Sequence, residues 1–314
     1  MSVSRHISSR RWLLLVALAL PMMLMGQEVN ISTADTTNQT AKNIAIFERV
    51  KTVLQADTAL HLPQLVVRVA EELVGTPYLW ASLETEPEQL QVFLDKTDCI
   101  LFVELSTCMA LTLKGKRIVQ AGDGERFAVR TEPSVVADVP SYQLLKQNIQ
   151  NMRYRLGVVD GYASRVHYTS EWILQNQTNG ILQEITKELG GQAFEQAFFY
   201  MSAHPTTYFQ LSHDVCELGK IRMMEEHLQQ QQPYFYLSQE QLRQPQTLNL
   251  IHEGDIITFI SPRPGLDLAH VAIAYKVGNE MHFIHASYSA KRVIIEPRTL
   301  ADYAKHGIRV SRLR

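Results

Sequence analysis

The sequence predicts an α+β fold, and two observations carry that reading. Up to about Tyr236 most segments repeat their apolar residues at helical spacing, whereas from Leu248 onward the chain breaks into β-type runs separated by Gly, Pro and Asn. Helices first and strands afterwards point to a small antiparallel sheet beside a helical half, not to alternating βαβ units. The 314 residues permit one large domain or two small ones, and 46% hydrophobic with 20% charged side chains is ordinary globular composition. A net charge of −2 lacks the electrostatic footprint that a nucleic-acid partner would need. Three cysteines are too few for a disulfide framework, and the odd count leaves at least one free thiol.

In chain order, Arg5, Arg10 and Arg11 precede an apolar run from Trp12 to Met25, followed by Gly26-Gln27-Glu28. That is the layout of a signal peptide over 1–26, and the run is short for a membrane span of about twenty residues. Residues 27–42 read as a flexible linker, because Ile31 to Thr40 is rich in Thr, Asn and Asp. A single domain then covers 43–314, with a core of 43–150 and 245–314 and an insertion at 151–244. Export to an oxidising compartment would permit a Cys108–Cys216 pair. Cys99 and Cys108 cannot bridge, since nine helical steps separate them by ~13 Å.

Helices are expected over Asn43–Gln55 and Leu62–Leu73, the second stopped by Gly75-Thr76-Pro77 before an extended Tyr78-Leu79-Trp80. The next helix opens on Cys99, with Thr97 or Asp98 as its cap and Phe102, Val103, Ser106 and Ala110 on an inward face, and it ends at Lys114-Gly115. A thiol at that position meets the positive end of the helix dipole, which favours thiolate. An ordinary buried cysteine is the alternative unless a histidine is placed beside it. Further helices are expected at Ser141–Met152 and Leu182–Leu189, and Gln192–Tyr236 mixes helical and loop signals. In the aromatic and basic stretch Arg153–Ile173, Arg165, His167 and Tyr168 belong either to a solvated loop or to a ligand-facing one. The β-type runs are Leu248 with Leu250, Ile256–Ile260, Val271–Lys276, Met281–Ala286 and Arg292–Glu296.

Gly278-Asn279 is a hairpin signal between two histidine-bearing strands. A two-residue loop pairs Val277 with Glu280, Ala272 with His285 and His270 with Ser287. Cross-strand partners share a face and side chains alternate, so His270 and His285 point the same way. Ala272 and Ala274 share that face and leave room for a packed element, for which the Cys99 helix is the candidate. His282 falls on the opposite face, which separates it from a three-histidine zinc site; no metal or cofactor is expected. Cys99, His270 and His285 instead fit a nucleophile, a base and an orienting group.

Gly75-Thr76-Pro77-Tyr78, Asp98-Cys99, Gly254-Asp255-Ile256-Ile257, Ala269-His270-Val271-Ala272-Ile273 and Ile284-His285-Ala286-Ser287 resemble, in this order, the NlpC/P60 papain-like cell-wall hydrolases. Leu83-Glu84, the Asp160–Tyr168 run, Trp172 and Met201-Ser202-Ala203-His204 resemble its N-acetylmuramoyl-L-alanine amidase-like branch, once catalogued as a domain of unknown function. The resemblance spans roughly 45–314. It implies a papain-like core whose helical half bears the cysteine and whose antiparallel sheet bears the histidines. It also implies a cysteine amidase acting on soluble peptidoglycan fragments (muropeptides), with nucleophile Cys99, base His270 and orienting residue His285, and the signal layout of 1–26 adds export, to the periplasm. Tyr78 and Asp98 would flank the thiolate and the oxyanion. Glu104, Ser164, Arg165, His167 and Tyr168 would wall the substrate cleft, Arg165 facing a stem-peptide carboxylate and Glu104 either a substrate amine or an internal Arg. The competing readings are a γ-D-glutamyl-diamino acid endopeptidase and a non-catalytic muropeptide-binding module. Ile100-Leu101 and Trp80-Ala81-Ser82 depart from the branch and bear on subsite shape.

Overall fold

The computed structural model describes residues 33–80, 83–120 and 135–314, so the expected signal peptide lies outside the described residues. Helix α1 (Thr33–Val53) begins well before Asn43, so the latter part of the expected flexible linker is helical. Its polar residues have distant partners: Gln39 donates to Asp95 at 2.9 Å, while buried Asn43 donates to the Val92 carbonyl and accepts from Leu94 N–H. Thr/Asn-rich composition signals disorder only when such partners are missing. Helix α2 (Leu62–Glu72) has Pro63 in its first turn, and the chain leaves it through Gly75 at φ +91°. Helix α3 (Cys99–Leu113) starts on the Asp98 cap, whose carboxylate accepts from Leu101 N–H at 2.9 Å. All of Leu101–Leu113 is buried, so α3 is enclosed all round, not on the single face expected. Neighbouring helices and the main sheet surround it, which its continuous apolar sequence permits.

A two-stranded ribbon, β1 (Lys116–Ile118) with β2 (Val135–Ala137), precedes α4 (Tyr142–Arg153), capped by Ser141. After α5 (Thr169–Thr178) comes β3 (Leu182–Glu184), a strand where a helix was expected. It pairs with the C-terminal strand, a partner far away in sequence that outweighs local propensity. A second ribbon, β4 (Gln192–Phe194) with β5 (Tyr234–Tyr236), encloses α6 (Tyr200–Ala203), α7 (Phe209–His213) and α8 (Val215–Gln229). Short helices α9 (Gln239–Leu242) and α10 (Pro245–Leu248) follow, so Leu248 ends a helix and does not open a strand. Pro245 in the first turn of α10 presets its φ for that helix.

Strands β6 (Ile256–Ile260), β7 (Leu268–Val277), β8 (Glu280–Ser287) and β9 (Arg292–Ile295) form an antiparallel meander; α11 (Leu300–Tyr303) then leads to β10 (Ile308–Leu313). The six-stranded order is β3-β10-β6-β7-β8-β9. Val277 faces Glu280 across the Gly278-Asn279 turn, which is the expected register. One sheet face, with Val271, Ile273, Ile284 and Val293, packs on α3 and its neighbours. The other, with Phe259, Ala272, Ala274 and Phe283, packs on α9 and α11. The expectation that α3 lies over His270, Ala272 and Ala274 is therefore overturned: α3 takes the bulky β-branched face, and the alanines admit Leu300 and Ala304. No disulfide forms among the three cysteines: Cys108 is buried and Cys216 exposed, so the expected option of a Cys108–Cys216 pair is not taken.

Candidate active site

His270 sits near the start of β7 and His285 near the end of β8, and the hairpin turns both rings to one side. His270 Nε2 lies 2.6 Å from His285 Nδ1, with the rings edge to face at 4.8 Å. Behind them, His285 Nε2 is 3.3 Å from Glu296 Oε2, and Arg298 Nε donates to Glu296 Oε1 at 2.6 Å. This chain of contacts favours one pair of tautomers. A carboxylate facing His285 Nε2 keeps the proton there, leaving Nδ1 as an acceptor. His270 Nε2–H then donates to it, and His270 Nδ1 is left as the basic lone pair.

Cys99 opens α3, which packs on the opposite face of the sheet from the two rings. The backbone N–H of Val271, the residue after His270, favours charge on the Cys99 sulfur. Tyr78 and Tyr303 are both close enough for their phenols to feel a charge on the sulfur. The Tyr303 ring lies 6.3 Å from His270 and 5.9 Å from His285. Tyr78 is fixed by backbone bonds: its N–H donates to Lys291 O, and Pro77 O accepts from Thr97 N–H, both at 2.9 Å. Burial, with the charges of Cys99 and Asp98, raises the Tyr78 hydroxyl well above its ordinary range, so it stays a proton donor.

The electrostatics differ from the thiolate expectation. Burial, then the neighbouring Asp98 carboxylate, pushes the Cys99 thiol up to about 12 against the opposing N–H groups of Val271, Ile100 and Cys99. Helix-end stabilisation is of order 0.3–1 kcal/mol in exposed settings and is outweighed here by loss of water. Burial and the adjacent His285 lower His270 to about 3; burial lowers His285 to about 4 despite Glu296. Asp98 itself rises to about 6, chiefly from burial. At neutral pH the site therefore holds a thiol and two neutral imidazoles.

The other expected residues divide. Ser164 Oγ donates to Gly161 O at 2.7 Å and accepts from Asp160 N–H, so it closes a turn. Tyr168 is buried and donates to Glu225 at 2.8 Å. Glu104 pairs with Arg153 at 2.8 Å, which is the internal-Arg alternative. Arg165 is buried, not solvated, and is held by Glu84 and Glu88, each at 3.1 Å. His167 bonds the Tyr162 carbonyl at 2.9 Å, its basicity suppressed by burial and Arg165. Arg165, His167 and Glu104 nevertheless share the wall of a cleft of about 140 Å³ with Asp98 and Leu101. A larger cavity of about 430 Å³ adjoins the histidines and is lined by Phe259, Ser287, Tyr288, Ser289 and Tyr303 among others. Glu296, Arg298 and Tyr303 were missed in the sequence. For Glu296 a signal existed: Ile294 faces His285 in the register, so Glu296, two positions on, shares that face.

A family model described as AmiA-like, N-acetylmuramoyl-L-alanine amidase-like, matches residues 68–308. The chain belongs to this family. Membership in the AmiA-like family points to a hydrolase with a peptidoglycan-type substrate. The crystal structure of an N-acetylmuramoyl-L-alanine amidase from Bacteroides uniformis is similar over 81% of this chain and 99% of its own, at 29% identity and a TM-score of 0.68. A Bacteroides fragilis protein named as a candidate xylanase is 30% identical over 78% of this chain and 99% of its own, with a TM-score of 0.64. A Legionella pneumophila protein, LPG0564, shares the fold at 17% identity, covering 88% of this chain and 96% of its own with a TM-score of 0.60. No curated protein matches this AmiA-like chain.

Proposed function

We propose that this AmiA-like protein is an exported cysteine amidase with a papain-like, NlpC/P60-type core, which hydrolyses the amide between the muramic acid lactyl group and L-alanine in soluble muropeptides. The observation that carries the reading is the contacting pair His270–His285, backed by Glu296 and one residue from the Val271 N–H that favours charge on the Cys99 sulfur. The export part rests on the basic start and short apolar run of residues 1–26.

In acylation the Cys99 thiol passes its proton to His270 Nδ1 as the sulfur attacks the lactyl carbonyl. Imidazolium and oxyanion form together, so neither charge stands alone in the site. Backbone N–H of Cys99 and the Tyr78 hydroxyl stabilise the oxyanion. The imidazolium then protonates the departing L-alanine nitrogen, and the C–N bond breaks to leave a muramyl thioester. In the second half His270 takes a proton from water, hydroxide adds to the thioester carbonyl, and the thiol leaves with that proton. Glu296, through His285, holds His270 in the tautomer this cycle needs.

The xylanase name of one neighbour favours a second chemistry, glycoside hydrolysis, which needs two carboxyl groups across a sugar bond. Glu296, the carboxylate of the histidine site, is buried and occupied by Arg298 and His285. Mass spectrometry of digested muropeptides tests the proposal. Free L-alanyl stem peptide with intact lactyl sugar supports it. A shortened muramyl dipeptide would mark an endopeptidase, cut glycan would mark a glycosidase, and unchanged substrate would mark a binding module; each of these overturns it.

A further inference from the structure

We infer that Trp80 and Tyr288 form a saccharide ledge that takes the apolar face of the muramyl pyranose ring, an inference that rests on the amidase reading above. Trp80 is 72% exposed and Tyr288 60% exposed, so both aromatic side chains stand in water beside the site. Their centroids are 6.0 Å apart with planes crossed at 67°. Tyr288 in turn meets Tyr78 edge-on at 5.6 Å and lines the cavity that holds His270 and His285. The pair is thus attached directly to the residue whose phenol feels the Cys99 sulfur.

The turn beyond β8 is built to hold this arrangement. Lys291 has φ +58°, one of two positive values among the described non-glycine residues, and its ammonium stands 3.4 Å from the Tyr288 ring centroid. Its carbonyl accepts the Tyr78 N–H, tying the turn to the segment that leads to Trp80. Ser287 Oγ also accepts from Ala290 N–H at 3.2 Å. A left-handed backbone outside glycine costs free energy and persists where surrounding contacts impose it, often at ligand-facing positions. The turn contributes nothing to either sheet core; what it positions is an exposed ring.

The chemistry selects a neutral sugar. A pyranose presents an apolar C–H face and a rim of hydroxyls, which suits a flat indole beside hydroxyl partners. Ser287 Oγ and Ser289 Oγ lie 3.1 Å apart, both line the cavity with Tyr288, and both can exchange hydrogen bonds with a sugar rim. The charged stem peptide has a different match in the cleft of Arg165, Glu104 and Asp98. The cavity beside His270 and His285 is therefore aromatic and hydroxyl-bearing and the cleft beside Asp98 ionic, as the two halves of a muropeptide require.

The test compares an N-acetylmuramoyl-L-alanyl peptide with the same peptide carrying only a D-lactoyl cap, in wild type and Trp80→Leu. The ratio of kcat/KM between the two substrates should fall about tenfold in the variant, mainly through KM. A ratio that moves less than about twofold overturns the ledge while leaving the amidase intact. A second measurement is independent of turnover: N-acetylmuramic acid titrated into Cys99→Ala should quench indole fluorescence, and the quench should vanish in Cys99→Ala/Trp80→Leu. If wild type cleaves neither peptide, the amidase reading fails. The titration then decides the ledge alone, quenching supporting it and silence overturning it.

Discussion

Replacing Glu296 by Gln keeps the shape of the site and removes the charge behind the histidine pair. In the transition state the positive charge sits on His270, one imidazole further from Glu296 than His285 is. Glu296 Oε2 stands 3.3 Å from His285 Nε2, and the two rings are centred 4.8 Å apart. At roughly 8 Å and an effective dielectric of about 20, the attraction is about 2 kcal/mol. Its loss lowers kcat about 30-fold. Gln can still accept from His285 Nε2–H through its carbonyl, so the tautomer survives and KM should hardly change. The assay is steady-state release of L-alanyl peptide, with a thermal melt of the variant to establish that it folds. Arg298→Ala, which frees the Glu296 carboxylate without deleting it, should leave kcat within about threefold. A Glu296→Gln enzyme that retains wild-type kcat, or loses activity wholly through KM, would refute the relay.

The site electrostatics set the remaining outcomes. Asp98→Asn keeps a good helix cap but removes the charge that helps push the Cys99 thiol to about 12, so the pH profile of iodoacetamide alkylation should shift to lower pH. Because the native Asp98 carboxyl is raised to about 6, ionising it weakens the fold as pH rises through that value; the variant should gain on the order of 1–2 kcal/mol over wild type at pH 8 and little at pH 4, read from urea midpoints. The histidines carry the opposite sign. His270 and His285 titrate near 3 and 4 when folded but near 6.5 when unfolded, so stability should fall as pH drops from about 6.5 towards 4. Urea denaturation across that range should show the loss, and a His285→Asn variant should show a shallower slope.

Much of this site was legible because its determinants are local. Asp98 before an apolar run marked where α3 starts, and Gly278-Asn279 set the register that puts His270 and His285 on one face of the sheet. The protonation state was not legible, because it depends on how far the fold withdraws Cys99 from water, which no local pattern records. Strand β10 went unseen for a related reason. Arg309 and Arg312 give it a polar look, yet Arg309 bonds Ser170 Oγ at 2.7 Å and Arg312 grips Asp255 at 2.7 and 2.8 Å. Charges satisfied by distant partners are indistinguishable in sequence from charges that face water. Arg165 illustrates the same limit: its composition suggested a solvated or ligand-facing loop, and Glu84 with Glu88 made it a buried strut.

The central claim is that the lactyl carbonyl becomes bonded to the Cys99 sulfur. Mixing the enzyme with an N-acetylmuramoyl-L-alanyl peptide, quenching in acid within the first turnover and mapping tryptic peptides by mass would test it directly. The account predicts an N-acetylmuramoyl adduct on the peptide Thr97–Lys114, assigned by fragmentation to Cys99 and absent from Cys99→Ala. Turnover by Cys99→Ala, or an adduct on any other residue, would contradict it.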